Sequence, residues 1–167
     1  DSTNADSPGF TQPERSVGES LESIVALAPG RIIVASFASH IHRIQQVMDA
    51  AALHGRSLAV IGRSMVKNVN IASNLGYLNV PEGLLIRPHD IALLPADRVV
   101  ILSTGSQGEP LSALARMASH DHPLVEITKG DTVVISARPV PGNETSVYRT
   151  IDRLFASGAR VIYESSA

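Results

Sequence analysis

Short unbroken apolar runs alternate along this chain with longer stretches in which apolar residues recur every third or fourth position. The runs are Ile32–Phe37, Leu58–Ile61, Val99–Leu102, Thr132–Ser136 and Arg160–Glu164. Apolar runs of this length, without polar alternation, suit strands covered on both faces. The stretches between them predict helices. Val17, Leu21, Ile24, Val25 and Ala28 fall on one helical face, which Pro29-Gly30 ends, and Thr11-Gln-Pro-Glu14 has the form of a capping box at its start. Further helices are expected over Ile41–His54, from Gly62 through Tyr77, over Glu109–Ser119 and over Asn143–Ser157. Pro81, Gly83, Pro88 and Pro95 interrupt residues 78–97 and leave room for one short helix around 88–94. Leu124–Ile127 reads as a short edge strand.

Five buried runs separated by helices predict an α/β fold: a single domain with a mostly parallel five-stranded sheet and helices on both faces. Right-handed crossovers carry every loop that follows a strand to the same edge of such a sheet, and ligands bind at that edge. The 167 residues are enough for one full core, and no repeat or linker divides them.

Composition narrows the picture. Hydrophobic residues make up 44% of the chain, yet no run approaches the length of a membrane span. The first residues, Asp1 to Gly9, are polar and turn-forming, with no apolar leader, and the missing initiator Met suggests a processed chain or a piece of a longer one. There is no cysteine, hence no disulfide framework and no thiolate metal site; a cytoplasmic location and no membrane partner are expected. The net charge of −2 means that any contact with nucleic acid must come from local patches.

The ends of the strands supply such patches. The first run leads into Ser36-Phe-Ala-Ser-His-Ile-His-Arg43, and the second into Gly62-Arg-Ser-Met65. The third leads into Ser103-Thr-Gly-Ser-Gln-Gly-Glu109, and the fourth into Ser136-Ala-Arg-Pro-Val-Pro-Gly-Asn143. Hydroxyls and helix N-termini donate to phosphate, and arginine adds a bidentate charge. Taken singly, each loop is also ordinary turn and cap chemistry; four on one edge favour an anionic ligand. The Gly105-Ser-Gln-Gly108 turn lacks both the G-x-G-x-x-G spacing of dinucleotide folds and the Gly-Lys-Ser/Thr of a P-loop. His120-Asp-His122 has the look of a metal motif, but Pro123 and the absence of further ligands in register favour a solvated loop. Phe37, one of three phenylalanines, stands where the first strand ends, open to either core packing or base stacking.

In order along the chain, several motifs resemble those of the β-CASP domain of bacterial ribonuclease J, a metallo-β-lactamase-fold nuclease. They are Asp1-Ser-Thr-Asn4, Pro8-Gly-Phe-Thr11, Glu14-Arg15, Val34–Ser39 with His42-Arg43, Gly62–Met65, Ser103–Pro110 and Pro141–Glu144. The resemblance implies that residues 1–167 are a Rossmann-like β-CASP domain excised from a larger enzyme that hydrolyses RNA phosphodiesters. That enzyme acts internally and from 5′-monophosphate ends, in RNA maturation, rRNA processing and mRNA decay. It implies two zinc ions in the full-length enzyme, held mainly by an H-x-H-x-D-H run that this sequence does not contain; no metal or cofactor is expected in this segment. Asp1 matches the family acid of the (D/E)-S-T stretch, with an indirect catalytic role through a histidine further along the family's sequence. The expected RNA contacts are Phe37, Ser39, His40, His42, Arg43, Arg63, Ser64, Thr104, Gly105, Ser106, Gln107 and Gly108. The implied partners are single-stranded RNA, the metallo-β-lactamase domain of the same parent chain and further copies of a homo-oligomeric parent. Two other readings suit the α/β pattern alone: a free-standing phosphosugar- or nucleotide-binding domain, and a structural docking module.

Overall fold

The computed structural model describes residues 14–163. Six strands form one sheet: β1 (Ile32–Ala35), β2 (Ser57–Ile61), β3 (Leu85–Ile86), β4 (Val99–Ser103), β5 (Thr132–Ile135) and β6 (Arg160–Tyr163). Their spatial order is β3-β2-β4-β1-β5-β6, and every pairing is parallel. Among the described residues five α-helices accompany them, α1 (Glu14–Leu27), α2 (Ile41–Leu53), α3 (Arg63–Asn74), α4 (Ala113–Ala118) and α5 (Glu144–Ala156), with two short 3-10 helices at Pro88–Leu93 and Ala96–Arg98. The α/β architecture follows the hydrophobic pattern, with one strand more than expected.

Successive residues of a strand point to opposite faces, so a run buried on both sides is apolar on both. Ile32 and Val34 of β1 join Val100, Leu102 and Val134 under α1, α2 and α3. Ile33 and Ala35 join Ile101, Val133 and Ile135 under α4 and α5. Chain direction then changes face across the middle of the sheet: β1 and β2 feed helices on one side, β4 and β5 helices on the other. Because β1 lies between β4 and β5, its following loop leaves for the opposite face from theirs, at the carboxyl ends of the strands where open α/β sheets bind ligands.

Four local expectations are corrected. β3 is the additional strand; it has two residues, with Leu85 exposed, too short for any period to show. Leu124–Ile127 makes no ladder. Val125 and Ile127 plug the core under the sheet at 1% and 2% exposure, while Arg31 brackets the segment by donating to Glu126 O at 2.6 Å and pairing with Asp131 at 2.7 Å. α3 stops at Asn74, three residues before Tyr77. α4 starts at Ala113 rather than Glu109, because Ser112 is the residue that caps it, its hydroxyl accepting from Ala115 N–H at 3.3 Å. Thr11 of the expected capping box lies outside the described residues, as do Asp1 and the other motifs before α1.

Candidate nucleic-acid interface

All strands being parallel, the loops after β1, β2, β4 and β5 share one edge, as the sequence pattern requires. The side chains on that edge divide into two groups. Arg63 and Ser64 open α3 and are exposed, and Arg63 has no hydrogen-bond partner among the described residues. Gly62, the residue before them, offers α3 no side-chain cap, and the first turn carries no acid. The helix therefore presents free amides and positive dipole beside an unengaged guanidinium, a combination suited to phosphate. Ser39 on the neighbouring β1–α2 turn and His42 in the first turn of α2 are exposed. Phe37 is 38% exposed and belongs to neither core cluster, which leaves its ring open to a ligand.

The second group is turned inward. Arg43, expected beside Arg63 as a phosphate contact, is only 7% exposed. Its guanidinium donates to Ser136 at the end of β5, through both the hydroxyl and the carbonyl, and its Nε donates to Gln46 Oε1 at 2.9 Å. Arg43 thus ties α2 to the β5–α5 loop. His40 caps α2, its Nδ1 accepting from Arg43 N–H at 3.1 Å.

The 104–108 turn, whose residues are expected to contact RNA, is likewise a brace between loops. Thr104 packs beneath Gly62, and its Oγ1 accepts from Ala113 N–H at 3.3 Å. Ser106 and Gln107 are 2% and 4% exposed. Gln107 straps the turn to the β5–α5 loop, its Nε2 donating to Arg138 O at 3.0 Å and its Oε1 accepting from Val140 N–H at 2.7 Å. At Gly105 an added Cβ would lie 2.8 Å from Leu114 Cβ, and at Gly108 it would meet the backbone of Ser146 and Val147. These glycines admit neighbouring chain, not ligand. Sequence composition cannot separate the two uses, since both need small residues where backbones approach closely. Ser103, fully buried at the head of the turn, keeps a hydroxyl with no hydrogen-bond partner.

The described residues do not fit a metal centre. No three His, Asp or Glu side chains among them cluster closely enough to hold an ion. His120 faces Glu126 at 3.4 Å and Ser157 at 3.3 Å, whereas the His122 Nδ1 accepts from Leu124 and Val125 N–H at 3.3 and 3.2 Å. Burial holds His122 below its ordinary pKa, with Arg116 adding to the effect and Asp121 opposing it. A neutral imidazole is what that acceptor role needs.

The model of the family "Ribonuclease J, beta-CASP domain" matches residues 29–154, which include all four loops of this edge. The chain belongs to that family. The β-CASP chain is 44% identical over its whole length to a ribonuclease J of Mycolicibacterium smegmatis, of which it covers 30%. It is 48% identical over 98% of its length to a ribonuclease J of Thermus thermophilus, covering 28% of that protein. Against ribonuclease J2 of Bacillus subtilis the figures are 43%, 98% and 29%. This β-CASP chain therefore spans less than a third of the curated relatives it matches. No helix among its described residues is long and apolar enough to cross a membrane.

Proposed function

We propose that residues 1–167 act as the β-CASP domain of a longer, metal-dependent ribonuclease J-like enzyme, and that the strand-carboxyl edge is an RNA-binding wall of its catalytic cleft. Family membership supports the ribonuclease reading. The observation that carries the site is the exposed, unpaired Arg63 with Ser64 at the uncapped start of α3, beside Ser39 and His42. Phosphates of single-stranded RNA lie along these groups, and Phe37 offers a face to a base. The remaining expected contacts act by position: Arg43 and Gln107 hold the loops together, and His40, Thr104, Gly105, Ser106 and Gly108 shape them. Contacts of this kind position a strand without reading it, so sequence preference from this wall is weak.

Bond cleavage belongs to metal ions and ligands elsewhere in the parent, two zinc ions in the metallo-β-lactamase domain, and the excised segment is inactive. Asp1 keeps its proposed indirect role. The parent is a cytoplasmic homo-oligomer that processes and degrades RNA from its 5′ end and internally.

Binding of a cleavage-resistant single-stranded RNA by the full-length enzyme, titrated across salt concentrations, tests the wall. Arg63→Ala weakens binding roughly two- to fivefold and flattens the slope of log affinity against log salt by about 0.7, the share of one phosphate contact on a single strand. An unchanged slope removes Arg63 from the RNA path.

A further inference from the structure

A groove of about 580 Å³ lies between α2 and α3 and runs on from the proposed phosphate contacts Ser39 and His42. Its lining includes Ser39 and His42 on the strand-carboxyl edge and Ile71, Leu75 and Tyr77 towards the end of α3. Those last three side chains are 45%, 65% and 76% exposed. Isolated apolar residues on a surface need no explanation, but three around one concavity mark a contact site.

Tyr77 is held in place from both flanks. After Leu75, Gly76 takes a φ of 76°, the Tyr77 N–H donates to Ala72 O at 2.9 Å and the Gly76 N–H donates to Ser73 O at 3.1 Å. This is the hydrogen-bond pair of a Schellman ending, which turns the chain sharply off the helix. Leu78 then anchors in the core at 3% exposure. Beyond it, Gln45 of α2 grips Asn79 twice, its Nε2 donating to the carbonyl at 2.8 Å and its Oε1 accepting from the N–H at 2.8 Å. A ring on so fixed a backbone costs little ordering entropy when something stacks on it.

The polar groups suit one class of occupant. Asn68 lines the groove and donates its Nδ2 to Ala38 O at 2.8 Å, which leaves its Oδ1 as an acceptor on the wall. Nucleobases carry N–H donors on their edges and a π-face on every ring. α3 bears Arg63 and Lys67 and no acidic residue, so the helix beside the groove carries positive charge although neither side chain lines it. A flat aromatic platform, an apolar floor, one acceptor and nearby positive charge match a base attached to a phosphate chain.

We propose that the α2–α3 groove is a nucleobase subsite for single-stranded RNA, where a base adjoining a phosphate at Ser39 or His42 on the strand-carboxyl edge lies against Leu75 and Tyr77. The proposal rests on the reading of that edge as an RNA-binding wall. Its test uses the full-length enzyme and a phosphorothioate uridine oligomer in which one base at a time is replaced by an abasic sugar. The wild-type enzyme should lose affinity roughly five- to a hundredfold at one or two adjacent positions, the range of a stacked base. Tyr77→Ala should lose a similar factor on the intact oligomer and become insensitive to abasic substitution at those same positions. Tyr77→Phe should retain both behaviours, Leu75→Ser should repeat the loss more weakly, and the salt slope should remain unchanged in all three. A Tyr77→Ala enzyme with wild-type affinity and an unaltered abasic profile overturns the subsite. If Arg63→Ala still flattens the salt slope in that event, the phosphate wall stands and only the groove assignment fails; if it does not, both fail. An unaltered abasic profile accompanied by a changed oligomeric mass in sedimentation gives the groove to a protein contact, and likewise overturns the proposal.

Discussion

Gly108→Val is expected to unseat the start of α5 and to destabilise the domain by about 3 kcal/mol or more, the sum of backbone strain and overpacking. Gly108 sits at φ 71°, a conformation that residues with a side chain rarely adopt. An added Cβ would also collide with the carbonyl group of Ser146 and lie 2.7 Å from Val147 N. Those atoms belong to the first turn of α5, whose Val147, Ile151 and Leu154 are core residues, so the backbone cannot give way without lifting an apolar face from the sheet. The obstruction begins at Cβ, and Gly108→Ala should therefore do much of the same damage. Hydrogen exchange in the full-length enzyme should show α5 amides losing protection, with thermal melting shifted down. A Gly108→Val enzyme with a fully protected α5 and lost RNA turnover would instead put this turn against RNA.

Arg43→Ala is the second large effect, and it separates the two arginines of the edge. Truncation leaves the Ser136 carbonyl and hydroxyl and the Gln46 amide without the cation that joins them. It also empties the space of a side chain that is only 7% exposed. The expected cost is about 1–3 kcal/mol, a fall in melting temperature of roughly 2–10 °C. Arg43→Lys should recover little, because one ammonium cannot reproduce the planar fork that reaches both α2 and β5. Arg63→Ala, at an exposed position, should leave melting unchanged. Melting and RNA affinity of the three variants decide the matter. Normal melting with lost affinity in Arg43→Ala would return its guanidinium to the RNA.

The sheet was legible because a strand buried on both faces is apolar over most of its length, and β1, β2, β4 and β5 are, with Ser57, Ser103 and Thr132 standing only at strand ends. β3 was not, since two residues carry no period. The apolar Val125 and Ile127 looked like a strand because burial in a core selects the same residue types as burial in a ladder. At the candidate site, chain order alone placed the right loops on one edge. It could not tell which side chains face outward. Arg43 and Arg63 have identical chemistry and similar positions at helix starts, yet one is consumed by a partner 93 residues away and the other is not. Gly105 and Gly108 raise the same ambiguity, because a ligand and another helix both call for close backbone approach; here it is to α4 and α5. The α2–α3 groove left no signal in the sequence. Tyr77 reads as the end of a helix, and only the turn at Gly76 sets it on the groove wall.

The central claim is that RNA runs along the strand-carboxyl edge of this domain. Photo-crosslinking of a 4-thiouridine-containing single-stranded RNA to the full-length enzyme, followed by peptide mapping, tests it most directly. Crosslinks should fall in the segments around Phe37–His42 and Gly62–Ser64, and be absent from the opposite edge around His54–Arg56 and Ala96–Arg98. Crosslinks confined to that opposite edge, or none in this domain while RNA remains bound, would contradict the account.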